Sequence, residues 1–138
     1  SHSSFALSDT LPHMTWKAHD TGLVMGLSRD VPAIFGKHVV PFAKSLLGKN
    51  ISFSECGWPI HPGGKSILES IEKVCKLNKE QTSSSWEIWK NYGNMSSATF
   101  LFVLENLFQK KSPYKWNMGL GFGPGLSMEG ILLRRLNA

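Results

Sequence analysis

The sequence predicts an α/β domain in which a mixed five-stranded sheet is covered by helices on its faces, in αβα layers. Strand-like and helix-like stretches alternate along the chain, residues 64–77 have a clear helical period, and two apolar runs near the end flank a glycine–proline turn typical of a hairpin. With 138 residues, of which 41% are hydrophobic and 18% charged, the chain has the size and composition of a folded domain. One domain over residues 1–138 is therefore expected.

The first third of the chain predicts one strand and one helix. Residues 1–21 mix Ser, Asp, Pro and His with isolated apolar positions, which indicates the tail of a strand running into a loop. The apolar run at 22–27 predicts a buried strand, and a helix is expected over 32–47 because apolar positions there recur at helical spacing. Pro41 is expected to kink this helix or divide it in two, and Gly48 to end it.

The middle of the chain predicts a strand that leads into His61 and then an amphipathic helix. Residues 55–60 form the predicted strand, so His61 lies at its carboxyl end, where open α/β sheets bind ligands. A helix over 64–77 follows, because apolar residues fall at positions i, i+1, i+4, i+7 and i+8 with polar residues between them. These apolar positions are Ile67, Leu68, Ile71, Val74 and Cys75.

The last third of the chain predicts two helices and a hairpin. The serines at 83–85 cap a short helix, and Asn94 begins the next element. The helix over 95–109 is apolar on nearly every face in its middle, so it is expected to be buried between layers. The runs at 115–122 and 127–135 predict antiparallel strands joined by a stiff turn.

Composition and charge exclude several classes of protein. The net charge of +5 comes from basic residues scattered along the sequence, which indicates a solvated surface and no nucleic-acid partner. No apolar run approaches the roughly 20 residues needed to cross a bilayer, and the first residues lack the order of a signal peptide, so no membrane span and a cytoplasmic location are expected. Cys56 and Cys75 are too far apart for a paired metal motif, so no metal site is expected.

Two polar residues are candidates for an active site. His61 precedes Pro-Gly-Gly, and Asn94 follows a glycine, so each hydrogen-bond donor stands beside glycine and a helix start. This is one way in which a chain presents a polar group at a pocket. Two donors without a nucleophile stabilise negative charge but start no covalent chemistry. The alternative is a loop histidine satisfied by its neighbours and an asparagine that caps a helix.

Three motifs follow one another along the chain: His61-Pro62-Gly63-Gly64, Tyr92-Gly93-Asn94-Met95-Ser96-Ser97-Ala98, and Gly121-Phe122-Gly123-Pro124-Gly125-Leu126 with Glu129 beyond it. In these motifs and their spacing, the chain resembles the carboxyl half of the type III polyketide synthases, the chalcone synthase family. The resemblance spans nearly the whole chain but covers only half of the family's enzyme. It implies a thiolase-like half whose nucleophilic cysteine lies in an amino half not included here, and neither cysteine of this chain matches that nucleophile's motif.

The resemblance implies a decarboxylative Claisen condensation followed by cyclisation. In the family, an acyl starter moves from coenzyme A to the cysteine, malonyl-CoA loses carbon dioxide to give an enolate, and the enolate attacks the acyl thioester. His61 would pair with the thiolate, and His61 and Asn94 together would hold the oxyanion or enolate oxygen. The substrates would be coenzyme A thioesters, with no tightly bound cofactor. The implied partners are the amino half of the same polypeptide and a second copy in a homodimer.

The resemblance also assigns residues to substrate and coenzyme A. Met25 falls where plant enzymes carry a gatekeeping phenylalanine, and Met14 and Trp16 fall where smaller or aliphatic residues line the cyclisation pocket. A flexible methionine at the gate would pass a linear acyl chain, which favours an aliphatic starter delivered by coenzyme A or an acyl carrier protein. The remaining implied residues are Ser96, Phe122 and Pro124 for substrate and Leu27, Gly63, Gly64 and Ser66 for coenzyme A.

Three further interpretations stay open. The chain also resembles the Steely hybrid synthases, in which a type III polyketide synthase is joined to the end of a fatty acid synthase. A ketoacyl-carrier-protein synthase III uses Cys, His and Asn as well, but its histidine motif usually runs His-Gln-Ala-Asn, unlike the His-Pro-Gly-Gly at 61–64. A non-catalytic thiolase-like half that serves as a binding module would lack the nucleophile altogether.

Overall fold

The structure, a computed structural model, describes residues 1–110 and 112–136. Residues 111, 137 and 138, which the predicted domain includes, lie outside the described residues. In chain order the elements are β1 (His2–Ala6), β2 (Met14–His19), β3 (Gly22–Leu27), α1 (Val31–Leu47), β4 (Cys56–Gly57), α2 (Lys65–Cys75), α3 (Ser83–Tyr92), α4 (Ala98–Gln109), β5 (Trp116–Gly123) and β6 (Ser127–Arg134), with short 3-10 turns at Leu11–His13 and Phe53–Glu55.

The main sheet has the strand order β1-β6-β5-β4. Strand β6 pairs antiparallel with β1 and β5, whereas β4 pairs parallel with β5, and the parallel pairing continues past β4 to Ile60 opposite Leu120. The sheet is mixed, as the sequence predicts. The predicted number of five strands is wrong for this sheet, which has four strands among the described residues, because β3 pairs with β2 in a separate two-stranded hairpin.

Helices cover both faces of the main sheet. A Cβ atom added to Gly119 of β5 would stand 2.9 Å from the ring of Phe100 in α4. Gly130 of β6 is paired with Leu120, the residue after Gly119, so it faces the opposite side of the sheet. A Cβ atom added to Gly130 would stand 2.8 Å from the ring of Phe42 in α1. Helices α1 and α4 therefore lie on opposite sides of the sheet, which confirms the predicted α/β fold with helical layers.

Helix α1 runs undivided over Val31–Leu47 with Pro41 inside it. The sequence-based expectation of a division is therefore wrong. The Pro41 ring is exposed, while Val39 and Phe42 on either side of it are buried in the core. Because the ring faces solvent, it displaces no core contact. Proline has no backbone N–H to donate within the helix, and burial of the opposite face of the helix holds the adjoining turns together instead.

The β2–β3 hairpin differs from prediction in two ways. A strand forms at Met14–His19, where a loop is expected, and the predicted buried strand at Gly22–Leu27 is exposed along its whole length. Leu23, for example, has 70% of its surface exposed. Strand β3 is therefore apolar in composition, yet no other described part of this chain covers it.

Helix α4 starts three residues later than predicted and is buried on only one face. Its buried residues are Thr99, Val103 and Leu107, whereas Leu101 is 66% exposed. The prediction that the whole helix is buried between layers is thus wrong for the described chain. Within this chain the sheet covers one side of α4 and leaves the apolar opposite side open.

The strand predicted over 55–60 is shorter in the structure, where β4 is Cys56–Gly57 and Ile60 makes an isolated bridge to Leu120. The other predicted elements are confirmed within a few residues at their ends. Helices α2 and α3 and the β5–β6 hairpin form where the sequence predicts them, and α1, α2 and the sheet enclose the core. The fully buried large side chains are Val31, Phe35, Val39, Trp58, Ile60, Leu68, Ile71, Val103, Met118, Leu120, Leu126 and Met128. Among the described residues, no helix combines the length and the apolar surface that crossing a bilayer requires.

Candidate active site

His61 directly follows Ile60, whose isolated parallel bridge to Leu120 of β5 lies beyond the end of β4. Its backbone N–H donates to the Leu120 carbonyl oxygen over 2.7 Å, and the Leu120 N–H donates to the Pro59 carbonyl oxygen over 3.0 Å. The side chain is half-buried, and this desolvation lowers the pKa of His61 below its usual value of 6.5. A neutral imidazole offers one N–H donor and one acceptor nitrogen at neutral pH.

The outer edge of the strand that leads to His61 is fixed by the segment before α3 and its first turn. The Trp58 N–H donates to the Gln81 carbonyl oxygen over 2.7 Å, and the Ile60 N–H donates to Ser85 Oγ over 2.8 Å. Gln81 Nε2 donates in turn to the Cys56 carbonyl oxygen over 2.8 Å. The backbone on both sides of this strand is therefore hydrogen-bonded up to the residue before His61.

Glu72 of α2 anchors the segment that supports this strand. Its carboxylate accepts hydrogen bonds from Thr82 Oγ1 at 2.5 Å, Trp86 Nε1 at 2.5 Å and Lys79 Nζ at 2.8 Å. Burial alone would raise the pKa of Glu72, but the bonds from Lys79, Thr82 and Trp86 outweigh it and hold the pKa below 4.5. The charged carboxylate thus ties α2 to the start of α3.

Gly63 stands beside the imidazole of His61 in the turn between the strand and α2. A Cβ atom added to Gly63 would stand 3.7 Å from Cδ2 and 3.9 Å from Nε2 of His61, and 3.3 Å from Cδ1 of Ile67. The Gly63 N–H donates to the His61 carbonyl oxygen over 2.9 Å, which makes the turn tight. A side chain at this position would therefore press on Ile67, while the imidazole lies at ordinary contact distance.

Asn94 reaches the same turn from the other side. Its Nδ2 donates to the Gly63 carbonyl oxygen over 3.1 Å, and its Oδ1 accepts the Ser96 N–H over 2.9 Å. Helix α3 ends at Tyr92 and is capped by Gly93, whose φ of 68° is favoured by glycine, so the chain turns sharply just before Asn94. Because Gly63 is two residues from His61, its bond with Asn94 brings the two motifs together, as the sequence predicts.

Four residues predicted to bind substrate or coenzyme A lie on one face of the β2–β3 hairpin. Trp16 is opposite Met25 and Met14 is opposite Leu27, and residues two apart on a strand point to the same side. Trp16 and Met25 are 54% and 45% exposed, whereas Met14 packs partly against the core. The hairpin thus carries an exposed apolar face, whose binding role stays a prediction.

The other predicted pocket residues lie in the β5–β6 hairpin and the two turns. The Phe122 ring packs on the Phe35 ring with centroids 4.6 Å apart, and Pro124 is exposed in the turn that follows. Ser66 is exposed in the first turn of α2, and Ser96 is exposed before α4. Their contacts with a substrate or coenzyme A remain untested.

Both cysteines are poor nucleophiles in this environment. Burial, with a smaller effect of the neighbouring Glu55 carboxylate, raises the pKa of Cys56 to about 11, and burial raises the pKa of Cys75 to about 12. The thiolate is the reactive form of cysteine, so both thiols stay protonated and unreactive near neutral pH. Residues 1–110 and 112–136 contain no group of three or more His, Cys, Asp or Glu side chains that could hold a metal ion.

The supporting residues Glu72, Gln81, Ser85 and Thr99 are missing from the sequence-based site. Thr99 carried a detectable signal, because a hydroxyl residue in the first turn of an otherwise apolar helix commonly bonds the preceding backbone. The sequence signal for Glu72 is weaker, because it is only a carboxylate next to the apolar stripe of an amphipathic helix. Nothing in the sequence alone links these residues to the strand before His61.

The fold and the site define an α/β domain with a histidine at a strand end and an asparagine amide held beside it. The chain matches the profile of the chalcone and stilbene synthases, C-terminal domain, over residues 3–137, and it belongs to that family. It is 38% identical over 128 residues to "Type III polyketide synthase A" of Arabidopsis thaliana, covering 86% of this chain and 32% of that protein. It is 36% identical over 130 residues to "Probable polyketide synthase 1" of Dictyostelium discoideum, covering 89% of this chain and 4% of that protein.

Solved structures agree with the family. The C-terminal type III polyketide synthase domain of Steely1, a type I/III hybrid from Dictyostelium, superposes with a TM-score of 0.95 at 33% identity, over 99% of this chain and 40% of that one. A fungal type III polyketide synthase, ORAS, gives a TM-score of 0.91 at 26% identity, over 98% of this chain and 40% of that one. The chain thus spans about a third of the plant relative and 40% of these structures.

Proposed function

We propose that this chain is the carboxyl half of a type III polyketide synthase, which condenses an acyl starter with malonyl-CoA by decarboxylative Claisen condensation and cyclises the product. The supporting observation is the hydrogen bond from Asn94 Nδ2 to the carbonyl oxygen of Gly63, two residues after His61, which brings the two donors to one turn. Family membership supports the reaction class, because the relatives named above are polyketide synthases.

His61 and Asn94 stabilise the negative charge that forms on thioester oxygens. When malonyl-CoA loses carbon dioxide, the electron pair of the broken C–C bond forms an enolate, and the N–H groups of the two side chains donate to its oxygen. The same donors hold the oxyanion that forms when the enolate attacks the acyl thioester, before the cysteine thiolate leaves. In other enzymes one such donor accelerates reaction by about 10²–10³-fold. The lowered pKa of His61 is consistent with a neutral donor.

The nucleophilic cysteine comes from an amino half in the same polypeptide. Cys56 and Cys75 are buried and have raised pKa values, so neither supplies a thiolate. The protein acts as a homodimer in the cytoplasm, and its substrates are coenzyme A thioesters without a tightly bound cofactor. Leu27, Gly63, Gly64 and Ser66 bind coenzyme A, with the α2 amino end close to its path.

The starter is an aliphatic acyl chain from coenzyme A or an acyl carrier protein. Met25 and Trp16 face each other on the open side of the hairpin, where a methionine adapts to a linear chain. Met14, Ser96, Phe122 and Pro124 complete the wall of the substrate cavity. Fusion to a fatty acid synthase would deliver such a starter directly.

The experiment is an assay of malonyl-CoA decarboxylation and of condensation with a ladder of acyl-CoA starters. The complete polypeptide should carry out both, and the isolated 138 residues should carry out neither. Turnover by the isolated segment would contradict the proposal that its nucleophile comes from the amino half. A ketoacyl-carrier-protein synthase III would make only one condensation and no cyclic product, and a binding module would show no turnover in either form.

A further inference from the structure

Thr99 lies in the first turn of α4, five residues after Asn94, and no part of its surface is exposed. Its hydroxyl accepts the Met95 N–H over 2.7 Å and donates to the Ser96 carbonyl oxygen over 2.8 Å. The Thr99 backbone N–H also donates to that carbonyl oxygen, over 3.1 Å. One buried hydroxyl therefore holds both residues that follow Asn94.

These bonds hold Ser96, whose backbone conformation is unusual. Its φ of 61° lies in the left-handed region, which residues other than glycine rarely adopt. In this conformation its N–H points back and donates to Asn94 Oδ1 over 2.9 Å, which leaves the amide nitrogen of Asn94 facing the Gly63 carbonyl oxygen. The rotation of the Asn94 amide thus depends on a backbone conformation that needs external support.

We propose that Thr99 is a positioning residue for Asn94. Its hydroxyl bridges Met95 and Ser96 and so keeps the turn in the left-handed conformation that orients the Asn94 amide. This inference rests on the proposed function, in which Asn94 donates to the enolate oxygen. Ser97, the residue at the helix cap, makes no side-chain hydrogen bond to the helix, so the support comes from within the first turn of α4.

The role predicts a selective defect in the complete enzyme. Thr99→Val keeps the shape of the side chain but removes the hydroxyl, and it should lower kcat for malonyl-CoA decarboxylation by about 10- to 100-fold, as small misplacements of catalytic groups do. Acyl loading, measured as enzyme-bound acyl group, should stay near the parental level. Thr99→Ser keeps the hydroxyl and should retain decarboxylation, and Ser97→Ala in the same turn is the matched control that should behave as the parent.

The double variant separates positioning from general structural support. In the Asn94→Ala background, Thr99→Val should cause no further loss of residual decarboxylation. An additional loss there, equal losses of loading and decarboxylation, or full decarboxylation by Thr99→Val would each overturn the inference. If Thr99→Val does not fold, Thr99→Ala is judged by the same criteria. If neither variant folds while Thr99→Ser does, Thr99 contributes to stability alone and the inference is overturned. Full decarboxylation by Asn94→Ala itself would instead refute the proposed function.

Discussion

The side-chain amide of Asn94 donates a hydrogen bond to the Gly63 carbonyl oxygen over 3.1 Å, across 31 residues of sequence. This bond joins the turn after the His61 strand to the turn before α4. A primary amide carries two N–H donors, so one engaged donor fixes the amide plane while the second stays available for a substrate oxygen. The bond therefore orients Asn94 before any substrate binds.

Asn94→Ala in the complete enzyme is expected to slow malonyl-CoA decarboxylation by about 10²–10³-fold, because it removes a donor to the enolate oxygen. Acyl loading should remain largely intact, since the thiolate pairs with His61. Release of carbon dioxide and acyl-enzyme formation measure the two steps. Asn91→Ala, on the exposed end of α3, is the matched control. Unchanged decarboxylation by Asn94→Ala would remove Asn94 from the mechanism.

Met25→Phe is expected to shift starter preference towards shorter or more compact acyl groups, because a rigid ring replaces a flexible side chain opposite Trp16. Products from a series of acyl-CoA starters of increasing length measure the shift. Val24→Phe is the matched control, since Val24 is similarly exposed but points to the other face of the hairpin. A starter profile unchanged by Met25→Phe would count against a gate at this position.

Glu72→Ala is expected to destabilise the protein by about 2 kcal/mol, because it leaves the hydroxyl of Thr82 and the indole N–H of Trp86 without their acceptor. Glu69→Ala on the same helix removes only an exposed ion pair with Lys65 and should cost less than about 0.5 kcal/mol. Urea unfolding measures both variants. Equal effects of the two substitutions would show that the buried carboxylate of Glu72 contributes no more to the free energy of unfolding than the exposed one of Glu69.

The same carboxylate predicts part of the acid sensitivity. The pKa of Glu72 is lower in the folded protein than its usual value of 4.5, so the unfolded chain binds its proton at higher pH. This contribution to stability is present above pH 4.5 and is lost as the pH falls through the folded pKa. Unfolding at a series of pH values should therefore show a smaller loss below pH 4.5 in Glu72→Ala than in the parent.

Gly130→Ala is expected to destabilise the protein by about 1–3 kcal/mol, because α1 packs so closely on β6 that the new methyl group would stand 2.8 Å from Phe42. Gly121→Ala on the neighbouring strand meets only Glu129 Cβ, at the ordinary contact distance of 3.8 Å, and is the matched control. Thermal unfolding of the two variants side by side is the measurement. A neutral Gly130→Ala would mean that the Phe42 and Leu46 side chains can shift at little cost.

The sequence predicted the elements whose signals are local. The amphipathic period of α2 and the glycine–proline turn between β5 and β6 both correspond to observed structure. His61 follows a segment that pairs with β5, as predicted, although the strand itself is only Cys56–Gly57 and Ile60 adds one isolated bridge. Its proximity to Asn94 came from the resemblance of the two motifs to a known family, and in the structure Asn94 bonds to Gly63, two residues after His61.

The failures concern burial and long-range support. The apolar run of β3 and the middle of α4 predict buried elements, yet Leu23 and Leu101 are largely exposed, since composition does not reveal whether the covering surface belongs to the same chain. Strand β2 was missed although Met14, Trp16 and Ala18 alternate with polar residues. The bonds made by Ser85 depend on tertiary packing and leave no periodic signal.

The bonds from Gln81 and Ser85 have a consequence for assembly. The strand leading to His61 lies at one end of the sheet order, and an open strand edge invites pairing with another chain. Here the outward N–H groups of Trp58 and Ile60 are already bonded to Gln81 and Ser85. These two N–H groups are therefore satisfied within the chain and are not free to pair with a strand of another molecule on the side that carries the histidine.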